Sequence, residues 1–183
     1  MPDTRICTAA EADLPAIVAL VNSAYRGDSS RVGWTTEADY IDGQRTSLAD
    51  LARELAAPGA PQMLILREGE ATDLLACVML EMVAARDGGQ SGYIGMLTVA
   101  PHLQDKGVGR RMLEAAENEA RRRGADRARM SVVSIRGSLI AWYERRGYVQ
   151  TGERTPFPYD DQRFGLPQVA GLEFVILEKP LIA

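Results

Sequence analysis

The sequence predicts an α+β domain, a sheet with helices packed on its faces. Three observations carry this. Apolar residues recur at helical spacing in two long stretches, residues 10–27 and 107–124. Between them lie three strand-like apolar runs, "QMLILRE", "DLLACVMLEMVA" and "SGYIGMLTVA". The turn residues "GE" and "RDGGQ" separate these runs, which suits an antiparallel meander. After the second helical stretch, strand and helix patterns follow each other closely to the end of the chain.

Taken in order, "TRICTA" alternates weakly and reads as a first strand. The first helix, "AEADLPAIVALVNSAYRG", places Leu14, Ile17, Val18 and Val21 on one face and stops at Gly27. A polar loop follows, "DSSRVGWTTEADYIDGQRTS". Ser47, with Asp50 three residues on, opens a short helix "SLADLARELA" through a capping-box-like pair, and Pro58, Gly59 and Pro61 end it. After the meander, a helix carries Val108, Met112, Ala116 and Ala120 on one face. Its "RRRG" end complements the helix dipole, with Gly124 at the C′ position. "RARMSVVS" is a strand, "SLIAWYERRGY" a short helix, and "GYVQTGE" and "LEFVILEKPL" are two closing strands. The order is β-α-α-β-β-β-α-β-α-β-β.

Composition narrows the function classes. With 183 residues, 46% of them hydrophobic, the chain can bury a core as a single domain, 1–183. The balance of 21 basic against 25 acidic residues gives no electrostatic support for a nucleic-acid partner. Cys7 and Cys77 are isolated among apolar neighbours and read as buried, inert thiols in a reducing compartment. The N-terminal segment lacks an apolar signal core and no run approaches a membrane helix, so no membrane partner and a cytoplasmic protein are expected. No spaced His, Cys and carboxylate set supports a metal site. His102, the only histidine, falls in a loop and reads as solvent-facing.

The stretch "PHLQDKGVGRRMLEAAENEA" is the most informative. Small residues and positive charge at a helix start, where free N–H groups meet the positive end of the dipole, make an anion site. It is no Walker loop, because GxxxxGK followed by Ser or Thr is absent. Nor is it a dinucleotide fingerprint, since position 112 is Met and the motif falls mid-chain. A tight helix start without a ligand is the alternative.

"LTVAPHLQDKGVGRRML" resembles the acetyl-CoA signature of the GNAT acyltransferases, Q/R-x-x-G-x-G/A. "VVSIRGSLIAWYERRGY" is similar to their second signature, about 35 residues on. The resemblance runs over almost the whole chain. It implies the GNAT fold: a mixed, mostly antiparallel sheet of about seven strands with helices on both faces and a splayed central strand pair. It also implies acetyl-CoA as cosubstrate and acetyl transfer to an amine, and it allows a homodimer. The pyrophosphate is then the expected guest of Gln104, Asp105, Lys106, Gly107, Val108, Gly109 and Arg110, with glycines letting the backbone approach. The pantetheine arm would pair with Leu97-Thr98-Val99, and an N–H of Leu97 or Thr98 would polarise the thioester carbonyl.

Tyr143 lies seven residues after Arg136 and four before Gly147, the position of the family's tyrosine general acid. A phenol of pKa about 10 can protonate or hydrogen-bond a departing thiolate of pKa about 8.5 or higher. A core tyrosine beside Trp142 and Tyr148 is the other reading. Arg136 stands where many members have Asn, and Ser138 caps the following helix or touches CoA. Tyr93 stands where some members carry a glutamate base; Glu81 is a substitute or an edge charge, so the base stays unassigned. Trp34, Glu37 and Asp42 fall within nine residues in a region that forms an acceptor wall in the family, and they suit a cationic amine. A capped polar loop is the alternative. A small-molecule amine acceptor is expected; a protein acetyltransferase and a non-catalytic acyl-CoA-binding module are the rivals.

Overall fold

The expected helical face of residues 14–25 forms α1 (Leu14–Tyr25), which buries Leu14, Ile17, Leu20, Val21, Ala24 and Tyr25 and carries Pro15 at its first turn, where a missing N–H costs nothing. The computed structural model describes residues 4–69, 73–85 and 87–181. The expected turns "GE" and "RDGGQ" lie partly outside these, at Glu70 and Arg86. α2 (Gly27–Ser30) adds one turn inside the polar loop. α3 (Leu48–Ala56) starts as expected, with the Ser47 hydroxyl accepting from the Asp50 N–H at 3.1 Å and donating to its carboxylate at 2.6 Å.

Seven strands form one sheet in the order β1-β3-β4-β5-β6-β9-β7. They are β1 (Thr4–Thr8), β3 (Gln62–Glu68), β4 (Leu74–Ala84), β5 (Gln90–Val99), β6 (Arg127–Val133), β7 (Val149–Pro156) and β9 (Glu173–Pro180). Only β5 and β6 run parallel; every other neighbouring pair is antiparallel. The two-residue strands β2 (Ile41–Asp42) and β8 (Leu166–Pro167) pair separately and tie the polar loop to the late loop.

Alternation divides the core. Leu64, Leu66, Val78 and Leu80 point to α4 (Val108–Arg122), whose Met112, Leu113, Ala116 and Ala120 cover them. Met63, Ile65, Cys77 and Met79 point the other way, onto α1 and α3. α4 approaches β5 so closely that a Cβ on Gly92 would lie 2.5 Å from that of Ala120. Burial pushes the Cys77 thiol up to about 12, consistent with an inert core thiol, whereas Cys7 is only half-buried.

The feature that makes the site is a parting of β5 from β6. They pair only from Ser91–Arg127 to Tyr93–Arg129. On the other side of β5, Met79 opposes Gly95 while Cys77 opposes Thr98, so β5 has one residue more than β4 across that interval. Met96 absorbs the bulge at φ 50°. A left-handed non-glycine residue costs on the order of 1–2 kcal/mol, a cost the surrounding ladder must offset. α5 (Gly137–Glu144) follows β6 and closes the far side of the gap.

Candidate active site

Two cavities meet at the bulged end of β5, and Tyr25, Leu97, Arg136, Leu139 and Tyr143 line both. The first, about 290 Å³, runs from Leu97 and Val99 to the start of α4 and is walled by Trp34 and Trp142. The second, about 80 Å³, lies between the parted strands and is closed by Phe157, Phe164 and Phe174.

At the start of α4 the chain makes an open backbone cradle. Asp105 has φ 62° and Gly107 φ 81°, and a Cβ on Gly107 would meet nothing within 4 Å. The first helical bond runs from Arg111 N to Gly107 O at 3.1 Å. Among the described residues, no N–H from Asp105 to Arg110 donates to another protein group. These orphan donors, at the positive end of a 15-residue helix, fit a pyrophosphate without help from side chains. Lys106 is exposed and lines neither cavity. Arg110 lines the larger one but pairs with Glu114 at 2.8 Å. Val108 packs on the core.

Gln104 does something else. Its side-chain oxygen accepts from Trp34 N at 2.8 Å and Thr35 N at 3.3 Å, and its amide nitrogen donates to Thr35 Oγ1 at 2.8 Å and Val99 O at 3.2 Å. The side chain is spent as a latch that holds the Trp34–Thr35 loop against the end of β5. Consequently Trp34, expected at an acceptor wall, stands in the larger cavity instead, its ring centroid 6.5 Å from that of Trp142.

Leu97 faces the junction and has no register partner on β4; its carbonyl accepts the Tyr25 hydroxyl at 2.6 Å. Leu97 thus sits in the bulge, between the Gly95 and Thr98 pairings to β4, with its carbonyl held by Tyr25. Thr98 is buried, is paired with Cys77, donates its hydroxyl to Met96 O at 3.0 Å, and lines neither cavity. Tyr143 is also buried, packed edge-on against Trp142 and Tyr148. Burial, reinforced by Tyr25, pushes its phenol well above the usual value, so it keeps its proton at neutral pH. Thus the two readings of Tyr143 are compatible: its ring is core and its edge lines both cavities.

The acceptor-side residues are rearranged relative to expectation. Glu37 does line the smaller cavity, but its carboxylate is buried between Arg26 and Arg136, the latter at 2.8 Å. Burial alone would raise its pKa; Arg136 and Arg26 outweigh that and hold it below the ordinary value. Arg136 also donates to Thr35 O at 2.6 Å and lies over the Tyr25 ring at 5.6 Å. Asp42 is exposed on β2, accepts from Gly43 N at 2.7 Å, and lines neither cavity. The expected pair of free carboxylates is therefore corrected. One is neutralised and the other lies elsewhere.

Ser138 is the second residue of α5, exposed, and neither caps the helix nor lines a cavity. Tyr93 shares a hydrogen bond with Ser131 Oγ, and Glu81 stands opposite it on β4; neither lines a cavity. Tyr25, Arg26 and Arg45 are site residues that sequence reasoning missed. The only signal was the segment "AYRG" beside "GWTTEAD", whose pairing requires a contact between two elements.

The GNAT acetyltransferase family model matches residues 18–148, which include the cradle, the bulge and Tyr143. The chain belongs to the GNAT acetyltransferase family. No functionally curated protein matches it by sequence. Among solved structures, it resembles the ribosomal-protein-S18-alanine N-acetyltransferase of Escherichia coli (TM-score 0.68, 18% identity, 99% of this chain and 96% of that one). A nourseothricin acetyltransferase aligns with TM-score 0.65 and 20% identity over 98% of this chain and 99% of that one. A Salmonella typhimurium protein solved with its cofactor acetyl-CoA aligns with TM-score 0.66 and 20% identity over 98% and 94%. This GNAT protein is an acetyl-CoA-dependent N-acetyltransferase. Among its described residues, no helix is long and apolar enough to cross a membrane, and no three His, Cys, Asp or Glu side chains are grouped to hold a metal.

Proposed function

We propose that this acetyltransferase moves the acetyl group of acetyl-CoA onto the primary amine of a small metabolite, by direct transfer in a ternary complex. The observation that carries the reading is the junction of the two cavities at Leu97 and Tyr143. A thioester reaching down the larger cavity from the α4 cradle ends where an amine in the smaller one can meet it. The small volume and aromatic closure of the acceptor cavity, about 80 Å³, favour a metabolite over a protein segment.

In this reaction the acceptor nitrogen forms a bond to the thioester carbon and the carbon–sulfur bond breaks. The Leu97 N–H donates to the carbonyl oxygen as it gains negative charge, and the bulge with its Tyr25 bond keeps that donor oriented beforehand. Tyr143 donates its phenolic proton toward the departing sulfur. Burial raises the phenol, and it raises a thiol for the same reason, so the two stay matched closely enough for proton donation. Glu37, held between two arginines, is not a base at this centre. The proton lost by the amine leaves to water.

The test is a panel of amines incubated with acetyl-CoA while free thiol release is followed. Turnover of small amines supports the reading. Turnover confined to peptides, or acetyl-CoA binding without any turnover, overturns it.

A further inference from the structure

The smaller cavity has an electrostatic character that acetyl transfer alone does not require. Arg26, Arg45 and Arg136 all line it, and Glu37 is the single carboxylate among its lining residues. Three guanidiniums against one carboxylate leave a formal excess of two positive charges around a small space. Glu37 answers Arg26 and Arg136 through one oxygen each, and Arg136 spends a further nitrogen on Thr35 O. One element of this set is left over. Arg26 is only 6% exposed; its terminal nitrogens meet Glu37 and Phe164 O, and its unpartnered Nε is itself buried. Arg45 is half-buried beside the Tyr25 ring at 5.9 Å and, among the described residues, forms no ion pair. The carboxylates that feel Arg45 are Glu37, already shared by Arg26 and Arg136, and Glu54 on α3, which does not line the cavity. A half-buried cation without an ion pair is a ready site for something negative.

We infer that the acceptor carries an acidic group, a carboxylate or its equivalent, on the same small molecule as the reacting amine. Arg45 binds that group, and Arg26 and Arg136 add to the positive potential it meets. The tetrad of Phe157, Phe164, Phe174 and Ile94 receives an apolar body. The acceptor class is thus a free amino acid or a close analogue. This rests on the proposed acetyl transfer to a small amine and adds its substrate class. It also reverses the expectation of a cationic acceptor drawn from Glu37 and Asp42. Arginine suits the role because its planar fork meets a carboxylate through two parallel hydrogen bonds.

The experiment compares each common L-amino acid with its own carboxamide, measuring kcat/KM by thiol release from acetyl-CoA. The amide keeps the side chain and amine, loses the charge, and imitates a peptide N-terminus. Its amine is also the less basic, so more of it is neutral at the assay pH, and any preference for the acid must come from recognition. The best acid should exceed its amide by tenfold or more, about 1.4 kcal/mol. In Arg45→Gln that ratio should fall at least tenfold, mainly through KM for the acid, and Arg45→Lys should restore part of it. Arg45 has no ion pair whose loss would unfold the chain, and the wild-type ratio tests the idea without any variant. Equal or better turnover of amides, or a ratio untouched by Arg45→Gln, overturns the acidic-acceptor class while leaving acetyl transfer standing. Absence of turnover for every acid and amide, while another amine is acetylated, also overturns the acidic-acceptor class alone; absence of turnover for every amine tried, with acetyl-CoA still bound, overturns acetyl transfer to a small amine.

Discussion

The two cavities that meet at Leu97 are made of different material. The larger is built from backbone: orphan N–H groups at the start of α4, left-handed Asp105 and Gly107, and a strand freed from its ladder by a bulge. The smaller is built from side-chain charge brought from four places: the end of α1 (Arg26), the polar loop (Glu37), the segment before α3 (Arg45) and the start of α5 (Arg136). A backbone site needs only small residues and a helix start. A charge site needs each partner to arrive, since a missing one leaves the others buried and uncompensated. The first should therefore tolerate most side-chain changes, and the second few.

The largest effect is expected where the charge set is broken. Glu37→Gln leaves Arg26 and Arg136 buried without a counter-charge and should cost about 3–5 kcal/mol at neutral pH in urea unfolding. Because the folded-state pKa of Glu37 is depressed, its contribution is complete above the unfolded value of about 4.3 and is lost as pH falls through the folded value. The gap between wild type and variant should thus narrow on acidification below about pH 4. A neutral-pH cost under about 1 kcal/mol would mean that the two cavities do not differ in this way.

Next comes the junction. Tyr143→Phe retains the packing against Trp142 and Tyr148 and removes only the proton donor. It should lower kcat roughly 10²-fold with little change in acetyl-CoA affinity. An unchanged kcat, with chemistry shown by pre-steady-state kinetics to limit the rate, assigns the proton to water.

In the backbone cavity, Gly107→Val puts a branched side chain where a Cβ now meets only open space, at a backbone angle that suits glycine. Acetyl-CoA should bind tenfold or more weakly by calorimetry, about 1.4 kcal/mol, while neighbouring Lys106→Ala changes affinity little. If Lys106→Ala weakens binding as much as Gly107→Val, side-chain charge rather than backbone holds the pyrophosphate. The smallest effect belongs to Tyr25→Phe, which releases the Leu97 carbonyl. It should cost about 1 kcal/mol of stability and several-fold in kcat at unchanged acetyl-CoA affinity. A stability loss with no effect on kcat would make Tyr25 a packing residue only.

Much of the fold was legible because its signals are local. The periodicity of α1 and α4, the Ser47–Asp50 cap and the alternating runs of β3 to β5 each depend on residues close in sequence. The short β2–β8 pair was not legible, since two-residue strands carry no period and only close contact between two loops forms them. Gln104 shows the limit of a motif. It fits the signature by position, but its side chain latches Trp34 and Thr35, a role set by a loop about 70 residues earlier.

By itself the sequence determined the sheet and its helices, the glycine turn that opens α4 and the position of Tyr143, because each is written in residue type at fixed short spacing. Tertiary structure alone decided what the acidic loop does. Glu37 and Asp42 look alike in sequence, two carboxylates in a polar segment beside Trp34. Folding buries one between Arg26 and Arg136 and leaves the other exposed on β2, so their charges end with opposite significance. The physical reason is that a carboxylate's meaning depends on its dielectric surroundings and its partners. Both are set by long-range contacts, with Arg136 standing 99 residues away along the chain.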